Sequence, residues 1–157
     1  MVLYFAYGSN MCFREMKDTC PSAKFRCIAL LPDHRLAFTR KSIRRCCGVA
    51  DAVANPGREV WGVVYEIADV ELGDLDSRED YREGRPQDQN SYNRCQVEIH
   101  RNGDVKDSTP IWIYFANRKK SPPLPSREYR DLLVGGARHW KLPPRYVKML
   151  EEIQVSK

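Results

Sequence analysis

The chain has 157 residues, 42% of them hydrophobic and 10% aromatic, a size and composition that favour a single domain over residues 1–157 and exclude disorder. Twenty-six basic against 21 acidic residues leave a net charge of +5, which suits small anionic ligands but falls short of the clustered basicity of a dedicated nucleic-acid binder. No apolar run approaches the ~20 residues of a membrane span, and the opening stretch lacks a basic leader and a cleavage site, so a cytoplasmic location without membrane contact is expected.

The first element is Val2 to Tyr7, aromatic-rich and predicted as a buried strand. It stops at Gly8-Ser9-Asn10, where Asn10 is a good N-cap for a short helix from Met11 to Met16, ended by Pro21. Lys24 to Arg40 mixes β-branched, aromatic and basic residues and predicts one bent strand or two. Gly48 to Ala54 is a further short strand before a turn at Asn55-Pro56-Gly57. Glu59 to Ile67 carries the strongest strand signal, and Ala68 to Glu79 follows as a helix with Leu72 and Leu75 on one face. Arg82 to Ser91 has no apolar side chain and predicts a loop. Tyr92 to His100 and Ile111 to Asn117 are strands that Asn102-Gly103 joins into a hairpin. Pro122, Pro123 and Pro125 mark an irregular crossing, after which helices run from Ser126 to about Arg138 and from Pro143 to Ile153. Strands first and helices last favour an α+β domain.

Three groups of residues could carry chemistry. At Tyr7-Gly8-Ser9-Asn10 a glycine permits close backbone approach, and free amides opening a helix attract a carboxylate. The same residues also suit an ordinary strand-to-helix turn. In the acidic run Asp76, Glu79, Asp80 and Glu83, the first two are three apart and share a helix face behind the best strand. A carboxylate pressed there against aromatics has its pKa raised toward the range useful for proton transfer, although a solvated helix end has this composition too. The basic stretches Arg40 to Arg45 and Arg118 to Lys120 read as exposed loop charge, because no aromatic stacking pattern accompanies them. Six cysteines without a C-x-x-C pair and three scattered histidines predict reduced thiols and no metal site. Ser9 has no G-x-S-x-G context for a nucleophile.

Together these pieces resemble the γ-glutamylcyclotransferases. Tyr4-Phe-Ala-Tyr-Gly-Ser-Asn10 is similar to that family's opening motif, and Val60-Trp-Gly-Val-Val-Tyr65 followed by Leu75-Asp-Ser-Arg-Glu79 to its central strand and catalytic-acid helix. Pro122-Pro-Leu-Pro, Tyr129, Gly136-Ala137, Leu142-Pro143 and Tyr146 resemble its C-terminal helices. The resemblance implies a small mixed β-barrel with flanking helices, no cofactor, and cleavage of a γ-glutamyl amide to 5-oxoproline. By position, Glu79 matches the catalytic glutamate, and Tyr7, Gly8, Ser9 and Asn10 match the loop that holds the γ-glutamyl group. Tyr92 matches a tyrosine near the substrate, and Tyr114 is nearest to a second one. Asp80 stands where many relatives have glycine, and the charged loop before Tyr92 departs from them as well.

The expected partner is a small γ-glutamyl compound rather than nucleic acid. Relatives are sometimes dimers, so a homodimer belongs to the expectation. The substrate's own α-amine closes a five-membered ring, which needs no protein nucleophile but does need a proton acceptor, for which Glu79 is the candidate, with Asp80 as a like charge beside it. A binding protein that recognises the same ligand without turning it over is the alternative, and a nucleic-acid accessory role for Arg40 to Arg45 is a third.

Overall fold

Aromatic and β-branched side chains gather in five stretches, and these are the strands of the computed structural model, which describes residues 1–157. They are β1 (Val2–Ala6), β2 (Lys24–Lys41), β3 (Gly48–Ile67), β4 (Tyr92–Arg101) and β5 (Ser108–Ala116). The helices are α1 (Phe13–Thr19), α2 (Leu72–Arg78), α3 (Arg127–His139) and α4 (Pro144–Glu151). The strands close into a barrel in the order β1-β3-β2-β4-β5. All neighbours are antiparallel except β1 with β5, so the barrel is mixed and the class is α+β, as expected.

β2 is one strand, and with β3 it forms a single long hairpin. The expected turn at Asn55-Pro56-Gly57 is a bend inside β3 and not a chain reversal, since Ala54 still pairs with His34 and Glu59 with Pro32. The register shifts there between Pro32 and His34, Gly57 lies at φ +78 and Asp33 at φ 56, and the Gly57 amide donates to Asp33 Oδ1 at 2.9 Å. Residues that make turns also make the bulges that curl a barrel strand, and local sequence does not separate the two. Further shifts at Phe25/Cys27 and Phe38/Arg40 bend β2 again. It reaches β4 only through Ala29 with Arg101 and Leu30 with His100, and β1 meets β5 only through Tyr4 with Trp112. At the second hairpin Asn102 and Gly103 both have positive φ, but Asp104 to Asp107 add another turn, and β5 starts at Ser108.

One cluster of 33 buried side chains fills the barrel and the helix contacts, with Phe5, Tyr65, Ile113 and Leu133 fully inside. α3 begins where its N-cap was predicted, Ser126 Oγ accepting from the Tyr129 amide at 3.1 Å. Its far end lies on the turn after β1. Trp140 Nε1 donates to the Met11 carbonyl at 2.9 Å and its ring stacks on Phe25 at 4.1 Å between centroids. Gly136 is there because any larger residue would put a Cβ 2.7 Å from the Met11 backbone. The six cysteines are free thiols, and no helix is long and apolar enough to cross a membrane.

Candidate active site

β1 ends at one mouth of the barrel, and Tyr7 and Gly8 carry the chain into a 3-10 turn, Ser9–Met11. The helix expected over Met11 to Met16 forms later, as α1, and it opens at Cys12 with no side-chain cap. Asn10 is therefore not an N-cap. Its side chain is buried, and Nδ2 donates to Tyr4 Oη and to Glu79 Oε1, both at 3.1 Å. The Met11 and Cys12 amides bond back to the Gly8 and Ser9 carbonyls, leaving the earlier amides of the turn without a partner inside it.

Glu79 arrives from the other side. Leu75, fully buried, seats α2 on the barrel, and Glu79 ends that helix with its amide on the Leu75 carbonyl at 3.0 Å. Burial pushes the Glu79 carboxyl above the usual carboxylate range, against the opposing pull of Arg78, the Asn10 hydrogen bond, Arg44 and Arg45. Asp80 follows at φ 51, a left-handed conformation that glycine adopts freely and aspartate tolerates better than most. Its carboxylate accepts from Ser91 Oγ at 2.7 Å and from Arg85 Nη2 at 3.0 Å, which holds it below its ordinary range. Committed to those partners, Asp80 is not the like charge beside Glu79 that the sequence suggested.

Tyrosines supply the remaining walls. Tyr92 Oη donates to the Ala50 carbonyl at 2.6 Å, and Tyr129 Oη accepts from the Ala50 amide at 3.0 Å. Tyr7 Oη donates to the Tyr114 carbonyl at 2.6 Å. Tyr114 Oη donates to Asp76 Oδ1 at 2.7 Å, while Asp76 Oδ2 accepts from Arg94 Nη1 at 2.8 Å. Arg94 in turn lies over the rings of Trp112 and Tyr81, at 4.8 and 5.2 Å. Burial raises the pKa of Tyr4, Tyr7, Tyr92 and Tyr114 above the ordinary phenol value and that of Tyr129 to about 12, so at neutral pH they are neutral hydroxyls and not bases.

Tyr7, Gly8, Ser9, Asn10, Glu79, Tyr92 and Tyr114 all line one cavity of about 40 Å³. A water needs roughly 10–15 Å³ on this measure, so the space exceeds what a single water fills. Tyr4, Ala50 and Tyr129 line it too; Tyr4 and Tyr129 entered the sequence reading only as motif residues, and none of the three was named as a site residue. Asp76 was, and it reaches the cavity through the Tyr114 hydroxyl. Glu83 stands apart in the exposed loop. Arg40 to Arg45 are not plain loop charge. They line a second, larger cleft that also contains Ser9, Glu79, Tyr92 and Tyr129. The other basic run lies elsewhere, with Arg118 bound to the buried Asp51 at 2.9 Å. No three His, Cys, Asp or Glu side chains come together as a metal site would need. The arrangement offers one carboxyl able to move a proton, neutral hydroxyl groups around it, and backbone amides ready for an anion.

Residues 59–150 match the AIG2-like family model. The mouse γ-glutamylcyclotransferase is 32% identical over 156 residues, which are 97% of this chain and 78% of that protein. The human γ-glutamylcyclotransferase is 31% identical over the same shares. A solved γ-glutamyl cyclotransferase structure superposes with a TM-score of 0.87 at 29% identity, covering 99% of this chain and 89% of that one.

Proposed function

The chain belongs to the γ-glutamylcyclotransferase family and is an enzyme of that type, and from that premise we propose that it cleaves a γ-glutamyl amide to 5-oxoproline with Glu79 moving the proton. The substrate's α-amine attacks its own γ-carbonyl carbon, a C–N bond forms as the ring closes, and the amide C–N bond breaks to release an amine. Holding the chain in the reactive fold supplies much of the acceleration, since well-oriented intramolecular reactions lower a barrier by roughly 7–11 kcal/mol. What remains is proton traffic. The α-ammonium sheds two protons, the first to free the amine that attacks and the second as it becomes the ring N–H, and the departing nitrogen gains two as it leaves as an ammonium. Glu79 relays them one at a time, so the protein ends as it began.

The observation that carries this reading is the setting of Glu79. It is a half-buried carboxyl with a raised pKa, fixed by Asn10, at a cavity walled by tyrosines that are themselves too weakly acidic to serve. The Ser9 and Asn10 amides suit the substrate carboxylate or the oxyanion that develops at the γ-carbonyl. No cofactor enters the scheme. Glu79→Gln keeps the Asn10 hydrogen bond and loses the proton acceptor. It is expected to lower kcat about 10²–10⁴-fold while binding persists, read as 5-oxoproline release from γ-glutamyl dipeptides, a γ-glutamyl amine and glutathione. Near-normal turnover in that variant would overturn the assignment. Tight binding with no product from wild type would favour a ligand-binding role instead.

A further inference from the structure

Beside the tyrosine cavity lies an open cleft of about 380 Å³, and the two share Ser9, Glu79, Tyr92 and Tyr129. A γ-glutamyl group in the small cavity, with its scissile amide at Glu79, sends whatever its nitrogen carries into the larger cleft. That cleft is the leaving-group side of the site. Its wall is the end of β2 and the loop to β3, contributing Arg40, Lys41, Arg44 and Arg45, with Arg78 from α2.

The partners of these five cations decide what the cleft lacks. Arg45 and Arg78 converge on one carboxylate, Glu15, at 2.8 and 2.7 Å. Arg40 Nη1 donates to the Ser91 and Asn117 carbonyls, at 3.2 and 2.9 Å, which carry no charge. Asp80, the cleft's other acid besides Glu79, is held by Arg85. Lys41 and Arg44 form no ion pair at all. Burial, and after it the like charges of Arg78 and Arg45, weaken the hold of Arg44 on its proton. The cleft is thus a cationic wall without the anions to balance it.

The chemistry of the bound substrate turns this imbalance into selectivity. Its leaving nitrogen is still an uncharged amide, so a simple amine presents no charge to the cleft and an amino acid presents one carboxylate. A leaving group with two carboxylates matches the wall best, because Lys41 and Arg44 are two unpaired cations to receive them. Resting on the cyclisation reading above, we propose that the cleft selects γ-glutamyl compounds whose leaving amine bears two carboxylates, with Arg44 and Lys41 as the specificity-determining residues.

Three probes of similar length separate the charges: γ-glutamylglutamate with two leaving-group carboxylates, γ-glutamylglutamine with one, and γ-glutamylbutylamine with none. Release of 5-oxoproline by wild type and calorimetric binding to Glu79→Gln are measured for each at low and at high salt. The expected order is glutamate, then glutamine, then butylamine, with about tenfold per carboxylate in both readouts and a narrower spread at high salt. Arg44→Gln and Lys41→Gln are expected to lose most on glutamate and least on butylamine. Equal kcat/KM and equal affinity for glutamate and glutamine would overturn the proposal, as would an equal loss on all three probes in Arg44→Gln. Ordered binding with no product from any probe would uphold it and sink the cyclisation reading. Turnover that depends on Glu79 yet ignores charge would do the reverse.

Discussion

Asp80 holds the backbone in the left-handed region directly after Glu79, and three replacements separate its two contributions. A Cβ in that conformation costs about 1–2 kcal/mol relative to glycine, and somewhat less for Asp or Asn. The bonds from Ser91 and Arg85 oppose that cost, but the Asp80 side chain is 56% exposed, so each counts for only about 0.5–1 kcal/mol. Asp80→Gly surrenders the bonds and recovers the backbone cost, leaving stability within about 1 kcal/mol of wild type. Asp80→Ala surrenders the bonds and keeps the Cβ, for a loss of about 1–2 kcal/mol. Asp80→Asn retains both a tolerant residue and an acceptor for Ser91, and loses less than about 1 kcal/mol. In urea unfolding the ranking is therefore Asn and Gly together, then Ala, and thermal unfolding should place the Tm of the alanine variant about 2–8 °C lower. 5-Oxoproline release in the same three proteins reads the aim of Glu79, with the alanine variant again lowest. An alanine variant as stable and active as the glycine one would refute the reasoning.

Glu79→Gln is expected to stabilise the fold as it removes activity. Burial raises the Glu79 pKa above its unfolded value near 4.5, so the wild type matches the variant below that pH and loses stability against it as pH rises through the folded pKa. Urea unfolding of the pair between pH 4 and 8 checks this, and a gap that opened downward instead would be wrong in sign. Asp76→Asn strips Arg94, whose side chain is 10% exposed, of its only carboxylate, and should cost about 2–4 kcal/mol. Tyr114→Phe removes only the hydroxyl bond to Asp76 and should cost about 1–2 kcal/mol, measured by the same unfolding assay. Gly136→Ala forces a Cβ against the Met11 backbone and should cost about 1–3 kcal/mol while displacing the Ser9–Met11 turn, which kcat/KM would register as a further loss.

Local signals carried most of the fold. The aromatic run after Met1, the Glu59 to Ile67 strand and the Ser126 cap each depend on neighbours in sequence, and each is where it was expected. Asn55-Pro56-Gly57 misled because a bulge and a turn ask for the same residues. Asn10 misled for a related reason: its cap chemistry is local, yet the bond it makes is to Glu79, 69 residues away. Tyr129 and Ala50, which meet across 79 residues, gave no local sign of belonging together. Only the motif resemblance could join Tyr7–Asn10 to Glu79 ahead of the structure. The basic loop lay outside that motif, so its place beside the tyrosine cavity emerged only from the fold.

The two narrow seams of the barrel have a consequence for when the enzyme becomes competent. The β2–β3 and β4–β5 hairpins pair residues close in sequence, whereas the Tyr4–Trp112 contact closes a loop more than 100 residues long. Loop-closure entropy makes such a contact a late event in folding. Tyr4 and the turn after it lie on one side of that seam, Tyr92 and Tyr114 on the other. Both hairpins and all four helices can therefore be in place while the tyrosine-lined cavity does not yet exist, and activity during refolding should recover after the circular dichroism signal rather than with it.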